Sequence, residues 1–359
     1  MSKKAATPSS RVRSQKNKEH RLNEIRAAKQ EWAARLLQRP STASPARSGA
    51  ITPDPARNLV GVGIGEKLVD GQPTGVLAVK FLVRAKYRKT HINPRHLLPK
   101  SIGGLPADVE QVGLFRSFEA LPLPLPTFMA SLASSIDPRS TVRPAQPGCS
   151  IGYVDPTGSS VVAATFGALV NDAEGTYILS NNHAIADLNL LAAGAPILQP
   201  GTLDGGDPVS GQIAELTRFI PLQPNVLNQF DCAIAKISDP AAVSNAILQI
   251  GPPSGVKAAQ IDMTVEKFGR STGYTVGQIT SIETDITVQY NDAQSFTFGG
   301  QIIVTGLQGN DFSQEGDSGA LIVERNSKMA VGLLFAGTPT HTAANHITGV
   351  LSALQVNLA

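Results

Sequence analysis

The stretch Gly316–Val323, with the sequence GDSGALIV, places a serine between two glycines at the start of an apolar run. The run Ala320–Val323 has the length and composition of a buried strand. A nucleophilic serine needs such a place, because small neighbours let a substrate carbonyl approach and a tight turn directs backbone N–H groups at one point. Turns of glycine and serine are also common without catalysis. A plain turn residue is therefore the alternative for Ser318 taken alone.

A second apolar run ends at a histidine. Residues 176–186, with the sequence TYILSNNHAIA, predict a buried strand that leads to His183. A general base must be held by structure and open to a cleft, and the end of a strand meets both needs. The alternative for His183 is a buried histidine whose hydrogen bonds are satisfied within the core.

An aspartate opens a third apolar run. Residues 229–237, with the sequence QFDCAIAKI, put Asp231 directly before a strand of mostly apolar residues. A buried carboxylate is costly unless it is paired. A histidine N–H would be a suitable partner, and the carboxylate would then fix the tautomer and orientation of the histidine ring. The alternative is an aspartate that caps the strand or a turn. The competing acids Asp187, Asp204 and Asp207 open no apolar strand.

Length and composition favour a large protein built from strands. The chain has 359 residues, of which 42% are hydrophobic and 16% charged, with 33 glycines and 25 prolines. Few charges and many turn-forming residues favour short strands over long helices. We find neither the roughly 18 uninterrupted apolar residues of a membrane span nor the apolar core of a secretory signal. Two cysteines only, Cys149 and Cys232, fit a reducing compartment or indifference to redox state. We expect a cytoplasmic protein.

Charge is distributed unevenly along the chain. Residues 1–50 carry twelve Lys or Arg and three Glu, whereas residues 140–359 carry eight Lys or Arg and eighteen Asp or Glu. A basic arm can attract nucleic acid or acidic lipid. This arm lacks the aromatic and glycine patterns of a nucleic-acid module. We therefore interpret it as a solubilising arm and expect neither nucleic acid nor a membrane as a partner.

The first segment, residues 1–57, is a basic arm with one amphipathic helix and a linker. The helix is predicted from Lys16 to Gln38, and its apolar stripe consists of Leu22, Ile25, Trp32 and Leu36. This stripe is suited to a regulatory partner, to self-association with a second copy, or to docking on its own chain. The Pro/Ser/Ala-rich residues 40–57 form the linker.

The second segment, residues 58–120, is a small α+β accessory module. Two strands are predicted around a turn at Asp70-Gly71. Its length of about 60 residues is marginal for an independent domain, so we expect it to lean on its neighbour. Gly61, Gly63 and Gly65 form a GxGxG pattern, but the helix that completes a nucleotide-binding loop does not follow.

The third segment, residues 121–147, is a Pro-rich linker, and the fourth, residues 148–359, is predicted to be strand after strand. Many short strands at this spacing indicate a β-sandwich or barrels. Only the tail, residues 347–356, is predicted to be helical.

The three candidate residues follow one another in the order His183, Asp231, Ser318. This order, with a strand-end histidine, FDCAIAKI and EGDSGALIV, resembles the chymotrypsin-like (trypsin-like) serine peptidases. The stretches LSNNH and KFGRSTG (residues 267–273), with the small module before them, resemble bacterial trypsin-like proteins akin to the plant Narrow Leaf type. The resemblance covers roughly residues 148–359. It implies an all-β, chymotrypsin-like double β-barrel with a C-terminal helix.

The resemblance also implies a serine endopeptidase that cleaves protein or peptide substrates through an acyl-enzyme. In this mechanism Ser318 attacks, His183 is the base, Asp231 orients it, and the N–H groups of Gly316 and Ser318 form the oxyanion hole. No metal or organic cofactor is expected. The specificity pocket is expected at Phe312, Ser313, Phe335 and Ala336, which favours a small or apolar side chain before the cleaved bond.

Two departures from the family bear on activity. Asn182 precedes the histidine where the family has alanine, and no mature N-terminus is expected to insert and pair with Asp317. Asp317 is therefore expected to find a partner inside the chain or to restrain the oxyanion loop. We expect a restrained peptidase with a narrow substrate range, and the basic N-terminal third could dock over the catalytic face. The alternative is a peptidase-fold binding, scaffold or autoprocessing protein.

Overall fold

The structure, a computed structural model, describes residues 8–37, 58–117, 136–158 and 161–359. In these ranges the chain forms mostly β-strands, together with the helices α1 (Pro8–Leu37), α2 (Asn182–Ile185) and α3 (Ile347–Leu354). Five strands precede residue 118: β1 (Leu59–Val69), β2 (Gln72–Val83), β3 (Ser101–Ile102), β4 (Leu105–Gln111) and β5 (Arg116–Ser117). The predicted linker at residues 40–57 and residues 121–135 of the second linker lie outside the described residues.

The remaining strands lie after residue 149. The first group comprises β6 (Ser150–Tyr153), β7 (Ala164–Thr165), β8 (Ala168–Asp172), β9 (Gly175–Ser180), β10 (Pro196–Leu198), β11 (Gln212–Phe219), β12 (Leu227–Asn228) and β13 (Ala233–Ile237). The second comprises β14 (Thr264–Gly269), β15 (Gly273–Gln289), β16 (Ser295–Gly306), β17 (Leu321–Glu324), β18 (Ala330–Gly337), β19 (His341–His346) and β20 (Asn357–Leu358).

Most strands after residue 149 form two rings, while β12 and β20 lie at the sheet edges. In the first sheet the order is β20-β8-β9-β13-β11-β10-β6-β7. It closes because the link between β7 and β8 bonds to the start of β6: Phe166 N donates to Cys149 O at 2.9 Å. In the second sheet β15 pairs with both β14 and β16, which closes the ring β14-β15-β16-β19-β18-β17. The predicted all-β, chymotrypsin-like double β-barrel with a C-terminal helix is confirmed.

Alternating burial shows why these segments form barrel walls. Along β15, Gly277, Ile279 and Ser281 are buried while the residues between them are partly exposed, the period of two expected of a strand with one face on a core. Ile279 belongs to the interior of the second barrel, and the larger apolar cluster fills the first barrel and reaches α3. The hydrophobic effect on these inward faces is the main stabilising contribution.

The accessory strands continue the sheet of the second barrel. Strands β1 and β2 form the predicted hairpin, with positive φ at both Asp70 (50°) and Gly71 (77°), as a tight hairpin turn requires. Strand β1 also pairs with β15, so the sheet extends through β1, β2, β4 and β3. Glycine permits this approach, because a Cβ at Gly63 would lie 2.3 Å from Thr284 Oγ1.

Helix α1 packs on the accessory strands with its predicted apolar stripe. Ile25 is fully buried, and the ring of Trp32 meets Phe81 edge-on with centroids 5.4 Å apart. Lys29 Nζ binds Asp285 Oδ1 of β15 at 2.5 Å. The stripe is therefore covered by its own chain. The helix begins at Pro8 rather than at Lys16, because its first turns carry no apolar stripe for a periodicity argument to detect.

No described helix is long and apolar enough to cross a membrane.

Candidate active site

Two neighbouring strands of the first barrel bring His183 and Asp231 together. His183 lies in α2, just after β9 ends at Ser180, and Asp231 lies just before β13 begins. Strands β9 and β13 are antiparallel, with Ser180 opposite Ala233. As a result His183 Nδ1 lies 2.5 Å from Asp231 Oδ2, and the backbone N–H of His183 donates to Asp231 Oδ1 at 3.2 Å.

The nucleophile loop of the second barrel is bonded to the first barrel. Thr165 of β7 donates from its backbone N–H to Ser318 O at 2.8 Å and from its hydroxyl to Gly316 O at 2.9 Å. Ser318 Oγ thereby lies 2.9 Å from His183 Nε2. The structure thus brings the three residues singled out in the sequence into one hydrogen-bonded chain at the junction of the barrels.

The loop that carries Ser318 also presents two free backbone donors. Gly316 has φ 93°, in the region that favours glycine. Among the described residues, neither Gly316 nor Ser318 has a hydrogen-bond partner for its backbone N–H. Unpaired N–H groups beside a serine oxygen are the donors that an oxyanion requires.

Asp317 finds its partner inside the chain. Lys267 Nζ lies 3.2 Å from Asp317 Oδ2, and both side chains are fully buried. The carboxylate also accepts hydrogen bonds from the backbone N–H groups of Ser271 (2.8 Å) and Gln314 (3.0 Å) and from the hydroxyl of Thr272 (2.6 Å). Burial lowers the pKa of Lys267, while the charge of Asp317 opposes that shift. This pair joins the KFGRSTG stretch to the nucleophile loop and holds the loop without a free N-terminus.

Tyr290 is a site residue that sequence reasoning missed. Its hydroxyl donates to Asp231 Oδ2 at 2.6 Å, and its ring lies edge-on to His183 with centroids 5.4 Å apart. Burial, the Asp231 charge and the hydrogen bond to Asp231 raise the pKa of Tyr290 well above its ordinary value, so the hydroxyl stays protonated and donates. Tyr290 follows directly after β15, and no motif in the sequence marks it.

Tyr290→Phe should lower kcat about tenfold to a hundredfold in any reaction that uses Ser318 as nucleophile and His183 as base. The variant removes one hydrogen bond to a buried carboxylate, and bonds to charged groups contribute roughly 1.5–3 kcal/mol. We would measure kcat and KM separately and compare Tyr274→Phe, which removes a comparable bond from a tyrosine of β15 to Glu266 of β14. Equal kcat values in the two variants would contradict a positioning role for Tyr290.

The four residues expected to form a specificity pocket fall in different surroundings. Phe312 is buried in the interior of the second barrel, whereas Phe335 packs on Phe298 with centroids 4.8 Å apart in a separate apolar cluster. Ser313 Oγ bonds the hydroxyl of Thr342 at 2.6 Å, and Ala336 belongs to the same apolar cluster as Phe335. Phe335 and Ala336 thus share one described cluster, Phe312 lies in another, and the specificity pocket stays a prediction.

The two cysteines do not offer a competing nucleophile. Burial raises the pKa of Cys149 to about 12, and burial together with the charge of Asp231 raises the pKa of Cys232 well above its ordinary value. Both thiols are free and buried. A thiol with a raised pKa is a poor nucleophile, because the thiolate is the reactive form.

Comparison with known proteins gives one family match and one curated relative. The family model of the Nal1 C-terminal domain matches residues 237–350. Protein NARROW LEAF 1 of Oryza sativa subsp. japonica is 24% identical over 322 residues, which cover 79% of this chain and 52% of the relative. The chain therefore spans about half the length of the curated relative it matches.

Solved structures that are similar to this chain include three proteases. Thermobifida fusca Protease A is 18% identical, with a TM-score of 0.42, and the match covers 59% of this chain and 97% of that one. A glutamic-acid-specific serine protease is also 18% identical, with a TM-score of 0.42, and the match covers 60% of this chain and 100% of that one. Cellulomonas bogoriensis chymotrypsin is 18% identical, with a TM-score of 0.40, and the match covers 59% of this chain and 97% of that one.

Proposed function

We propose that this protein is a serine endopeptidase that cleaves peptide bonds through an acyl-enzyme. The observation that carries the proposal is the hydrogen-bonded chain in which Ser318 Oγ lies 2.9 Å from His183 Nε2 and His183 Nδ1 lies 2.5 Å from Asp231 Oδ2. A nucleophile, a base within reach of its proton and a carboxylate that orients the base are the parts this chemistry needs.

The reaction proceeds in two halves. Ser318 Oγ attacks the carbonyl carbon of the substrate while His183 Nε2 takes the hydroxyl proton, and Asp231 stabilises the imidazolium that forms. The oxygen of the tetrahedral intermediate accepts hydrogen bonds from the N–H groups of Gly316 and Ser318. His183 returns the proton to the leaving amine as the C–N bond breaks. Water then releases the acyl group by the same route in reverse.

The second candidate function is a peptidase-fold binding, scaffold or autoprocessing protein. The burial of the nucleophile favours it: the side chain of Ser318 has no exposed surface and His183 is 7% exposed. A site this closed also agrees with a restrained peptidase of narrow substrate range, which is the form of the first proposal that we adopt. We place such an enzyme in the cytoplasm, with a peptidase domain at residues 148–359 and protein or peptide substrates.

Labelling with a fluorophosphonate tests the proposal. The probe reacts with an activated serine and forms an adduct that mass spectrometry of peptides locates. We expect the adduct on Ser318, and no adduct in a His183→Ala variant, because the hydroxyl then lacks its base. Labelling that is absent from the wild type under all conditions would favour the binding function.

A further inference from the structure

Strand β5 lies on an edge of β18 that no other described strand covers. Strand β17 pairs with β18 only as far as Leu333, opposite Leu321. Beyond that point β5 takes the edge, with Ser117 opposite Ala336 and Arg116 opposite Gly337 in antiparallel register. The same short strand reaches β15, because Gln289 N donates to Phe115 O at 3.0 Å.

This edge runs past the candidate catalytic residues. Leu334 of β18 accepts from the N–H of Gly319, the residue after the nucleophile, at 2.9 Å. Gln289, which binds the residue before β5, is followed by Tyr290, and Tyr290 binds Asp231. An extended peptide that pairs with β18 beyond Leu334 would therefore lie beside Ser318. Adding a strand to an open sheet edge is a general way to bind such a peptide.

The hold of β5 on this edge is weak in two respects. It is only two residues long, and the hydroxyl of Ser117 is buried without a hydrogen-bond partner among the described residues. A buried unpaired hydroxyl opposes docking, and short strands with few bonds open locally at low cost. Phe115, fully buried in the cluster that includes Phe335 and Tyr290, is the main anchor.

We propose that β5 is an internal occupant of the substrate groove, and that an extended peptide must displace Arg116–Ser117 from the β18 edge before it reaches Ser318. The inference rests on the proposed function and adds its regulation. It accounts for a nucleophile that has no exposed surface although its hydrogen-bonded partners are in place.

Substitutions at Ser117 test this in both directions. Ser117→Ala removes the unpaired hydroxyl and so strengthens the pairing of β5 with β18. Peptidase turnover and fluorophosphonate labelling should therefore fall about tenfold. Ser117→Lys buries a charge at the same place and weakens the pairing of β5 with β18, so both rates should rise at least tenfold. Ser101→Ala and Ser101→Lys are the matched controls, since Ser101 lies exposed in the two-residue strand β3. Equal rates in the two Ser117 variants would overturn the proposal.

A binding measurement separates this inference from catalysis. A fluorescent peptide with the sequence of residues 112–117 (VGLFRS) is titrated into full-length Ser318→Ala protein and followed by anisotropy. We expect tighter binding when Ser117→Lys is added and weaker binding when Ser117→Ala is added. If no variant labels but this order holds, the peptidase proposal fails and the groove proposal stands. If labelling succeeds but the three affinities agree, the groove proposal fails alone.

Discussion

Replacing Ser318 by alanine should lower kcat for peptide or ester hydrolysis by about 10⁶-fold, the size of loss seen when a triad serine is removed. The substitution removes the hydroxyl that lies 2.9 Å from His183 Nε2 and leaves the rest of the loop unchanged. We would measure hydrolysis with a chromogenic ester and with a peptide, and check the fold by circular dichroism.

The residual rate of Ser318→Ala is informative as well. The free N–H groups of Gly316 and Ser318 remain, and such donors together with substrate binding retain roughly 10³–10⁴-fold catalysis over water when triad residues are removed. Ser210→Ala is the control, because its hydroxyl is exposed and binds only Asp207. Hydrolysis by Ser318→Ala within tenfold of the wild type would exclude Ser318 as the nucleophile.

Lys267→Met should lower both stability and turnover. It leaves the fully buried carboxylate of Asp317 without its cation, and breaking a buried ion pair costs about 3–5 kcal/mol in the free energy of unfolding. Asp317 lies between Gly316 and Ser318, the two residues proposed to donate to the oxyanion. We therefore expect kcat to fall at least a hundredfold, in the range seen when one oxyanion donor is lost.

Chemical denaturation and kcat measurements on the folded fraction check both parts of this expectation. Lys236→Met is the control, because Lys236 lies exposed in the first barrel. Lys267→Arg keeps the charge and should recover part of the lost turnover. If Lys267→Met unfolds like Lys236→Met and keeps its turnover, Lys267 does not hold the nucleophile loop.

Within the described residues, the basic N-terminal third approaches the candidate catalytic residues through a strand, and its docking over the catalytic face stays a prediction. Helix α1 packs on β1 and β2, where Lys29 binds Asp285. The described part that approaches the candidate triad is β5, at the C-terminal end of the accessory strands. The contact is made by backbone pairing and by Phe115 rather than by a basic surface.

Local sequence determined the features that depend on neighbours in the chain. The β1–β2 hairpin follows from two apolar runs around Asp70-Gly71, and α3 from the pattern of the C-terminal tail. His183 and Asp231 could be singled out because each lies at the end of an apolar strand, where a polar group needs a function or a partner. In each case the deciding signal lies within a few residues.

Only the tertiary structure decided which distant groups meet. Tyr290 binds a carboxylate 59 residues away, Lys267 meets Asp317 across the second barrel, and β5 pairs with β18 after the whole first barrel has intervened. These contacts depend on how strands are ordered around the rings and on the register between them. A local pattern of apolar and polar residues sets which face of a strand is buried, but it does not specify the partner strand.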